Sequence, residues 1–311
     1  MISEYAKQDI EKLRCKSLLY KRINIVVYAV NFLVLFILWI KLKVLGEDMV
    51  DYFQLLIFLT FEVSISIHVA GEKYVQVMRD FKSAYKIQFV VEILYEQFGN
   101  VDYIGIQGFS ERVIQDFQLV HLANHMYSED YLRAVYNGVI FEQSDVAIIE
   151  KKRKEFPSVF FKGRMLKLSH SKEPVEDIRI FTRNFEHRVI NNTIQVRGME
   201  EALSVGADIS EQTWTEDAEF NNMFDVYSAN EQEVGELLTP AFRAVLGKLA
   251  SRYGCIALRL AGSEAYVAIG ARIDTFDCSL DEPIQYEVEE RRIIADADEI
   301  KILIDALNGA A

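Results

Sequence analysis

Cysteine is nearly absent from this chain, with only Cys15, Cys255 and Cys278 among 311 residues. An odd, sparse set describes no disulfide framework, and a reducing compartment fits it. Cys255 and Cys278 fall in strand-like stretches, where a free cysteine serves as a small buried hydrophobe. Neither has an immediate basic neighbour to activate its thiol, which speaks against a nucleophilic or redox role. Proline is rare as well, at four, and there is no proline-rich linker, internal repeat or low-complexity tract. The five histidines leave few ready general bases or metal ligands. No nucleophile elbow occurs, because the serine of Ala-Gly-Ser-Glu-Ala (261–265) sits at a hairpin tip, where a small polar residue is ordinary. Gly105 to Ser110 precedes a helix but lacks the lysine and the length of a phosphate loop, and reads as a turn.

What the chain has in plenty is apolar surface and an uneven charge. Half the residues are hydrophobic, enough for one or two domains with full cores. Residues 1–90 hold 12 Lys/Arg and 9 Asp/Glu, a net of +3; the whole chain is −13, so residues 91–311 carry −16. An acidic body behind a basic front excludes nucleic acid as a partner, since phosphate binding requires clustered Lys and Arg. It also argues against the body lying flat on anionic lipid.

Ile23 to Ile40 contains no charge and has about the length a bilayer core requires, roughly 17–25 residues. Trp39 suits the interface. Lys41 and Lys43 follow directly, where a signal peptide would show a small-residue cleavage site, so the segment reads as an uncleaved anchor. The second apolar run, Tyr52 to Ala70, carries Glu62 at its middle. Ten Leu, Ile, Phe and Val between Leu55 and Val69 favour insertion by about 3–6 kcal/mol in sum; a central acid opposes it by about 2.5–3.5. The two runs form a helical hairpin around a short link. Lys and Arg flank its outer ends (Lys7, Lys12, Lys21 and Arg22 before; Lys73, Arg79, Lys82 and Lys86 after), while the link holds only Lys41 and Lys43. The positive-inside rule then places both termini in the cytoplasm, with the protein multi-pass in the inner (plasma) membrane.

The expected organisation is a basic cytoplasmic segment over 1–22, a two-helix membrane hairpin over 23–70 (about 23–40 and 52–70), a helix over 71–100 ended by Gly99-Asn100, and an acidic cytoplasmic domain over 101–311. Within that domain the spacing predicts a helix from Ser110 as N-cap through "SERVIQDFQLVHLANHMY". Strands follow at "GVIFEQSDVAII", "SVFFKGRMLKLS", "DIRIFTR" and "EFNNMFDVYS". Asn230 with Glu233 forms a capping box, and Thr239-Pro240 starts a further helix. "CIALRLAGSEAYVAIGARI" is a hairpin, and a last helix runs near Asp298 to Leu307. Helices interleaved with hairpins define an α+β class with a mainly antiparallel sheet.

"SEDYLRAVYNGVIF", "VFFKGRMLKL" and the long stretch from Ala218 to Gly270 resemble the bacterial membrane proteins grouped as domain of unknown function 3137. The resemblance spans roughly Tyr103 to the C-terminus, and its most specific elements are F-x-V-Y-S (Phe224 to Ser228) and L-T-P-x-F (Leu238 to Phe242). Such proteins tend to carry two N-terminal membrane helices, which the resemblance implies here. Where relatives usually have Asp shortly after V-Y-S, this chain has Asn230, a swap that an N-cap tolerates. The family has no established activity.

His121 and His125 lie at i and i+4 on the predicted helix, a metal-sharing spacing, with Glu129 or Asp130 as conceivable third ligands. The zincin glutamate is missing, so polar helix positions are the preferred reading. Asp274, Asp277, Asp281 and Glu282 lack the glycine turn and spacing of a calcium loop, and read as a solvated loop. Asn191 to Thr193 is a glycosylation sequon without meaning in a cytoplasmic domain. No catalytic, cofactor or metal residues are assigned. One polar pair is: in an antiparallel hairpin centred near Gly46, Asn31 and Glu62 lie at equal depth and are expected to hydrogen-bond, stabilising insertion by about 0.6–2 kcal/mol. A proton relay through Glu62 is the competing role. The chain is thus expected to be a membrane-tethered interaction or sensory module that binds a protein, a small effector or further copies of itself. The alternative is a membrane-anchored enzyme whose site is dispersed in sequence.

Overall fold

The computed structural model describes residues 3–44, 49–120, 122–170, 175–185, 187–190, 193–196, 212–270 and 276–309. The chain divides into two compact units, residues 1–92 with 277–289, and residues 93–276 with 290–311.

The first unit is built on two long helices, α1 (Glu4–Val44) and α2 (Met49–Tyr85), followed by one π turn (Lys86–Val90) and the start of α3 (Val91–Phe98). Residues 1–22, expected as a separate segment, are largely the first turns of α1. The apolar stretch of α1 is bare: Phe32 is 72% exposed and Leu33 56%. The same helices bury side chains at their other ends, where Ile10, Ser17, Val77, Phe81 and Tyr85 are inaccessible. There the Ser17 hydroxyl donates to the Val77 carbonyl at 3.0 Å, tying α1 to α2. Residues 277–289 pack against this end. Asp277 takes Lys86 at 3.1 Å and also Lys82, Lys21 meets Asp281 at 2.6 Å, and Arg14 donates to the Leu280 carbonyl at 2.9 Å. Phe89 meets the Tyr286 ring edge-on at 5.2 Å. Burial pushes the Asp277 carboxyl up, but Lys86 and Lys82 outweigh it and hold it below the ordinary carboxylate range.

The second unit carries a nine-stranded sheet in which every pair is antiparallel. In chain order its elements are β1 (Val101–Ile104), α4 (Glu111–Phe117), β2 (His125–Tyr136), β3 (Val139–Glu150), β4 (Ser158–Ser169) and β5 (Val175–Thr182). A separate ribbon follows, β6 (His187–Ile190) with β7 (Thr193–Val196), then β8 (Gln212–Thr213), α5 (Ala218–Met223), β9 (Phe224–Tyr227), α6 (Glu231–Leu237) and α7 (Pro240–Tyr253). The chain closes with β10 (Ile256–Gly262), β11 (Glu264–Gly270) and α8 (Tyr286–Asn308). The spatial order is β1-β2-β3-β4-β11-β10-β5-β9-β8.

Alternation along the strands divides two buried layers. Val146, Ile148, Phe161, Met165, Phe181 and Tyr266 join Ile114 and Phe117 of α4 in one core. On the other side α8 buries Ile293, Ile300, Leu303 and Leu307. Its Asp296 sits 3.4 Å from Arg164 of β4, and its Asp305 accepts from Tyr136 at 3.0 Å.

Local chemistry explains most boundaries. Asn230 accepts from Glu233 N at 3.2 Å and Thr239 from Phe242 N at 3.2 Å, the two expected caps of α6 and α7. The Asn137-Gly138 turn has φ of +49° and +80°, the left-handed pair that closes a tight hairpin between β2 and β3.

Three expectations are corrected. The helix capped by Ser110 stops at Phe117, because Gln118 turns left-handed (φ +51°) and the chain enters β2 at His125. "EFNNMFDVYS" is a short helix, α5, capped by Asp217, and only then strand β9. The last helix begins at Tyr286, about three turns earlier than expected.

Candidate functional site

At one end of β2–β4 the sheet opens into a cavity of about 430 Å³ lined by Ile106, Met126 to Glu129, Asp145 to Ala147, Lys162 and Gly163. A bulge shapes it. The β2–β3 register shifts between Glu129 and Leu132, leaving Asp130 buried at φ +59°. A non-glycine residue held there costs roughly 1–3 kcal/mol, so the surroundings must impose it. They do. Tyr103 donates its hydroxyl to Asp130, Asp130 N reaches the Gly105 carbonyl at 3.4 Å, and Tyr131 N reaches Gln107 O at 2.9 Å. The turn at 105–108 thus clamps the bulge. Gly108 is required because a Cβ there would lie 2.6 Å from Glu129 N and collide with the Ser128 hydroxyl. Beside it, Tyr131 donates to Glu142 at 2.7 Å; burial, then that bond, pushes its phenol far above the usual value.

The cavity is polar at its rim. Glu129 and Asp145 face each other in register, and Tyr127, Ala147 and Lys162 form the next row. Among the described residues Ser128 Oγ is buried without a hydrogen-bond partner, an unspent donor and acceptor. The lining holds no His or Cys. Glu129, Asp145 and Lys162 lie on one face of these strands, whereas Ser128, in register with Val146, turns toward the core on the other. Together they do not form a nucleophile with an adjacent base.

A second cavity, about 680 Å³, lies between α5 and α7 and is lined by Asp217, Phe220, Met223, Arg243 and Lys248 among others. Arg243 is buried there, donating to the Leu238 carbonyl at 2.8 Å and facing Asp217 at 3.3 Å.

Between these sites runs a buried charge ladder. Arg179 is fully inaccessible. It donates to Asp177 at 3.1 and 2.8 Å, and to the Gln118 carbonyl and side-chain oxygen at 3.0 and 2.8 Å. Arg259 joins the same carboxylate at 3.0 Å and stacks over Tyr266. The ladder caps the C-terminus of α4, where the helix dipole favours a cation. Burial lowers the Arg179 pKa. It pushes Asp177 up, but the two arginines outweigh that and hold Asp177 low.

The residues singled out from sequence fall as follows. Asn31 donates to Ser66 Oγ at 2.9 Å, and Glu62, one turn before Ser66 on α2, is exposed. His125 opens a strand rather than sharing a helix face, and His121 lies outside the described residues; Glu129 and Asp130 belong to the bulge. The i, i+4 spacing therefore has no helix to act on. Asp277 is largely withdrawn from solvent between lysines, Asp281 meets Lys21 but stays exposed, Glu282 is exposed, and Asp274 lies outside the described residues. The sequon begins at Asn191, also outside them. All three cysteines are free: Cys255 and Cys278 are part-buried, and Cys15 is exposed. Sequence reasoning misses the bulge because the predicted helix overruns the first three residues of β2 and no strand is assigned to residues 128–136, although Asn-Gly between alternating residues signals a hairpin.

Fold and cavity define a class, an antiparallel α+β domain behind a long apolar N-terminal helix. Residues 159–308 match the family described as "Protein of unknown function (DUF3137)". The resemblance read from the motifs therefore holds over that stretch, which includes both F-x-V-Y-S and L-T-P-x-F; residues 103–158 lie outside it. No curated protein matches the chain. Among solved structures, the crystal structure of the mycobacterial trehalose monomycolate transport factor A, TtfA, is similar at 10% identity and a TM-score of 0.31, covering 71% of this chain and 95% of that one.

Proposed function

We propose that the chain is a membrane-tethered binding module. Its two N-terminal helices cross the bilayer with both termini cytoplasmic, and the sheet unit takes a small polar effector in the β2–β4 cavity. The observation that carries the tether is the bare apolar surface of α1, the described helix that is long and apolar enough to span a membrane. Exposed Phe58 and Phe61 add apolar surface on α2, and the Lys/Arg bias of the flanks supports the orientation. Asn31 and Ser66 bond across the two helices one turn from Glu62, and we read that polar contact as interhelical glue. A Glu62→Gln variant that inserts normally yet abolishes function would instead favour proton transfer.

The polar row of Glu129, Asp145 and Lys162 along the cavity supports the binding role. Affinity capture of the full chain from its own membrane, with mass spectrometry of bound small molecules, tests it. Ala147→Phe fills the cavity between Tyr127 and Lys162. We expect a captured polar small molecule that this variant loses while staying in the membrane. Equal recovery with and without the phenylalanine removes the cavity from the account.

A further inference from the structure

One corner of the acidic body is basic. The turn between β3 and β4 reads Lys151-Lys152-Arg153-Lys154-Glu155-Phe156-Pro157. Residues 151–155 carry a net +3 inside a stretch whose sum is −16. Phe156 is 96% exposed and Val159, at the start of β4, 59%. Lys154 turns the chain at φ +74°. Lys151 is held at the base, its ammonium 2.9 Å from the Tyr127 hydroxyl, and Lys152 pairs with Glu150 at 3.2 Å. Arg153 and Lys154 extend into solvent.

We propose that this hairpin tip docks on an anionic phospholipid surface, with its cations among the headgroups and the Phe156 ring at the headgroup–acyl boundary. Four successive cations capped by a bare aromatic are the combination such a surface selects. Each basic residue near an anionic leaflet adds about fivefold in affinity, so the net +3 amounts to roughly a hundredfold. That is too weak to anchor a soluble protein, but sufficient for a domain already confined to a membrane at high effective concentration. The proposal rests on the tether reading to that extent. The acidity of the surrounding domain works in the same direction, since repulsion of everything but the tip orients the approach. A single short basic run in an acidic body does not suit nucleic acid. An acidic protein segment would satisfy the cations but leave Phe156 without a role.

The test is hydrogen exchange at residues 150–160 of the full chain in nanodiscs, made either of phosphatidylcholine alone or with added phosphatidylglycerol. We expect exchange about tenfold slower in the anionic discs, reversed by high salt. The protection should vanish in Arg153→Glu/Lys154→Glu, whose side chains are exposed and outside the ion pairs above, and weaken in Phe156→Ala. Equal exchange in the two discs overturns the proposal. So does protection by soluble polyglutamate in neutral discs with none from anionic lipid, which would assign the tip to an acidic protein. If the chain fails to enter discs of either kind, the tether reading falls; co-sedimentation of the chain with phosphatidylglycerol vesicles, set against the charge-reversal variant, then decides the tip by itself.

Discussion

Replacing Asp177 by alanine removes the one carboxylate shared by Arg179 and Arg259. The change strands a fully buried guanidinium with only the two Gln118 oxygens, beside a second cation left with the Asp116 carbonyl. Breaking a buried pair by deleting one member costs about 3–5 kcal/mol, a large share of the roughly 5–15 kcal/mol that holds a domain together. At about 2–4 °C per kcal/mol for a unit of this size, the melt should fall by roughly 6–20 °C. Circular dichroism of the full chain in mild detergent reads it. The triple variant Asp177→Leu/Arg179→Met/Arg259→Met removes all three charges and should recover much of the loss, because apolar replacement of a buried ion cluster is often neutral. The pH dependence has a definite sign. The folded Asp177 carboxyl sits below its ordinary value, so its contribution is complete above about pH 4 and is lost as the pH falls through the folded value. Wild type should therefore lose stability below pH 4 more steeply than Asp177→Ala. A drop under about 2 °C for the alanine variant, or parallel acid profiles, would refute the reasoning.

Other changes test smaller parts. Thr239→Ala strips the α7 cap and should cost about 1 kcal/mol, whereas Asn230→Asp should stay within about 0.5 kcal/mol; urea midpoints measure both. Gly108→Ala forces the 105–108 turn off β2 and should cost about 1–3 kcal/mol, with faster amide exchange at Asp130 and Tyr131. Changing Cys255 and Cys278 together to alanine should leave effector recovery unchanged; loss of recovery with an intact melt would place a thiol in the site.

Elements governed by short-range chemistry were legible in the sequence. The caps at Ser110, Asn230 and Thr239, the hairpin of β10 with β11, and the full extent of β4 follow from residues a few positions apart. Helix α4 could not be bounded that way. Its end at Gln118 is held by Arg179, 61 residues later, and no local signal announces it. That boundary covers only the start of β2; its bulged part, residues 128–136, carries no assignment from sequence, and the bulge and cavity go with it. The solvated-loop reading fits Asp281 and Glu282, which are exposed, but not Asp277, which is drawn in by a lysine 195 residues earlier. Equal depth of Asn31 and Glu62 is an expectation that rests on the loop-centred residue count alone. The observed bond of Asn31 goes to Ser66, a choice set by side-chain reach between packed helices rather than by depth.

The account stands or falls on the tether and the side it presents. The direct measurement is alkaline carbonate extraction of membranes containing the full chain, followed by protease treatment of inside-out vesicles with a tag after Ala311. The account predicts that the chain stays in the washed membrane pellet and that the tag is removed without detergent. Release of the chain into the carbonate supernatant, or a tag protected until the vesicles are opened, would contradict it.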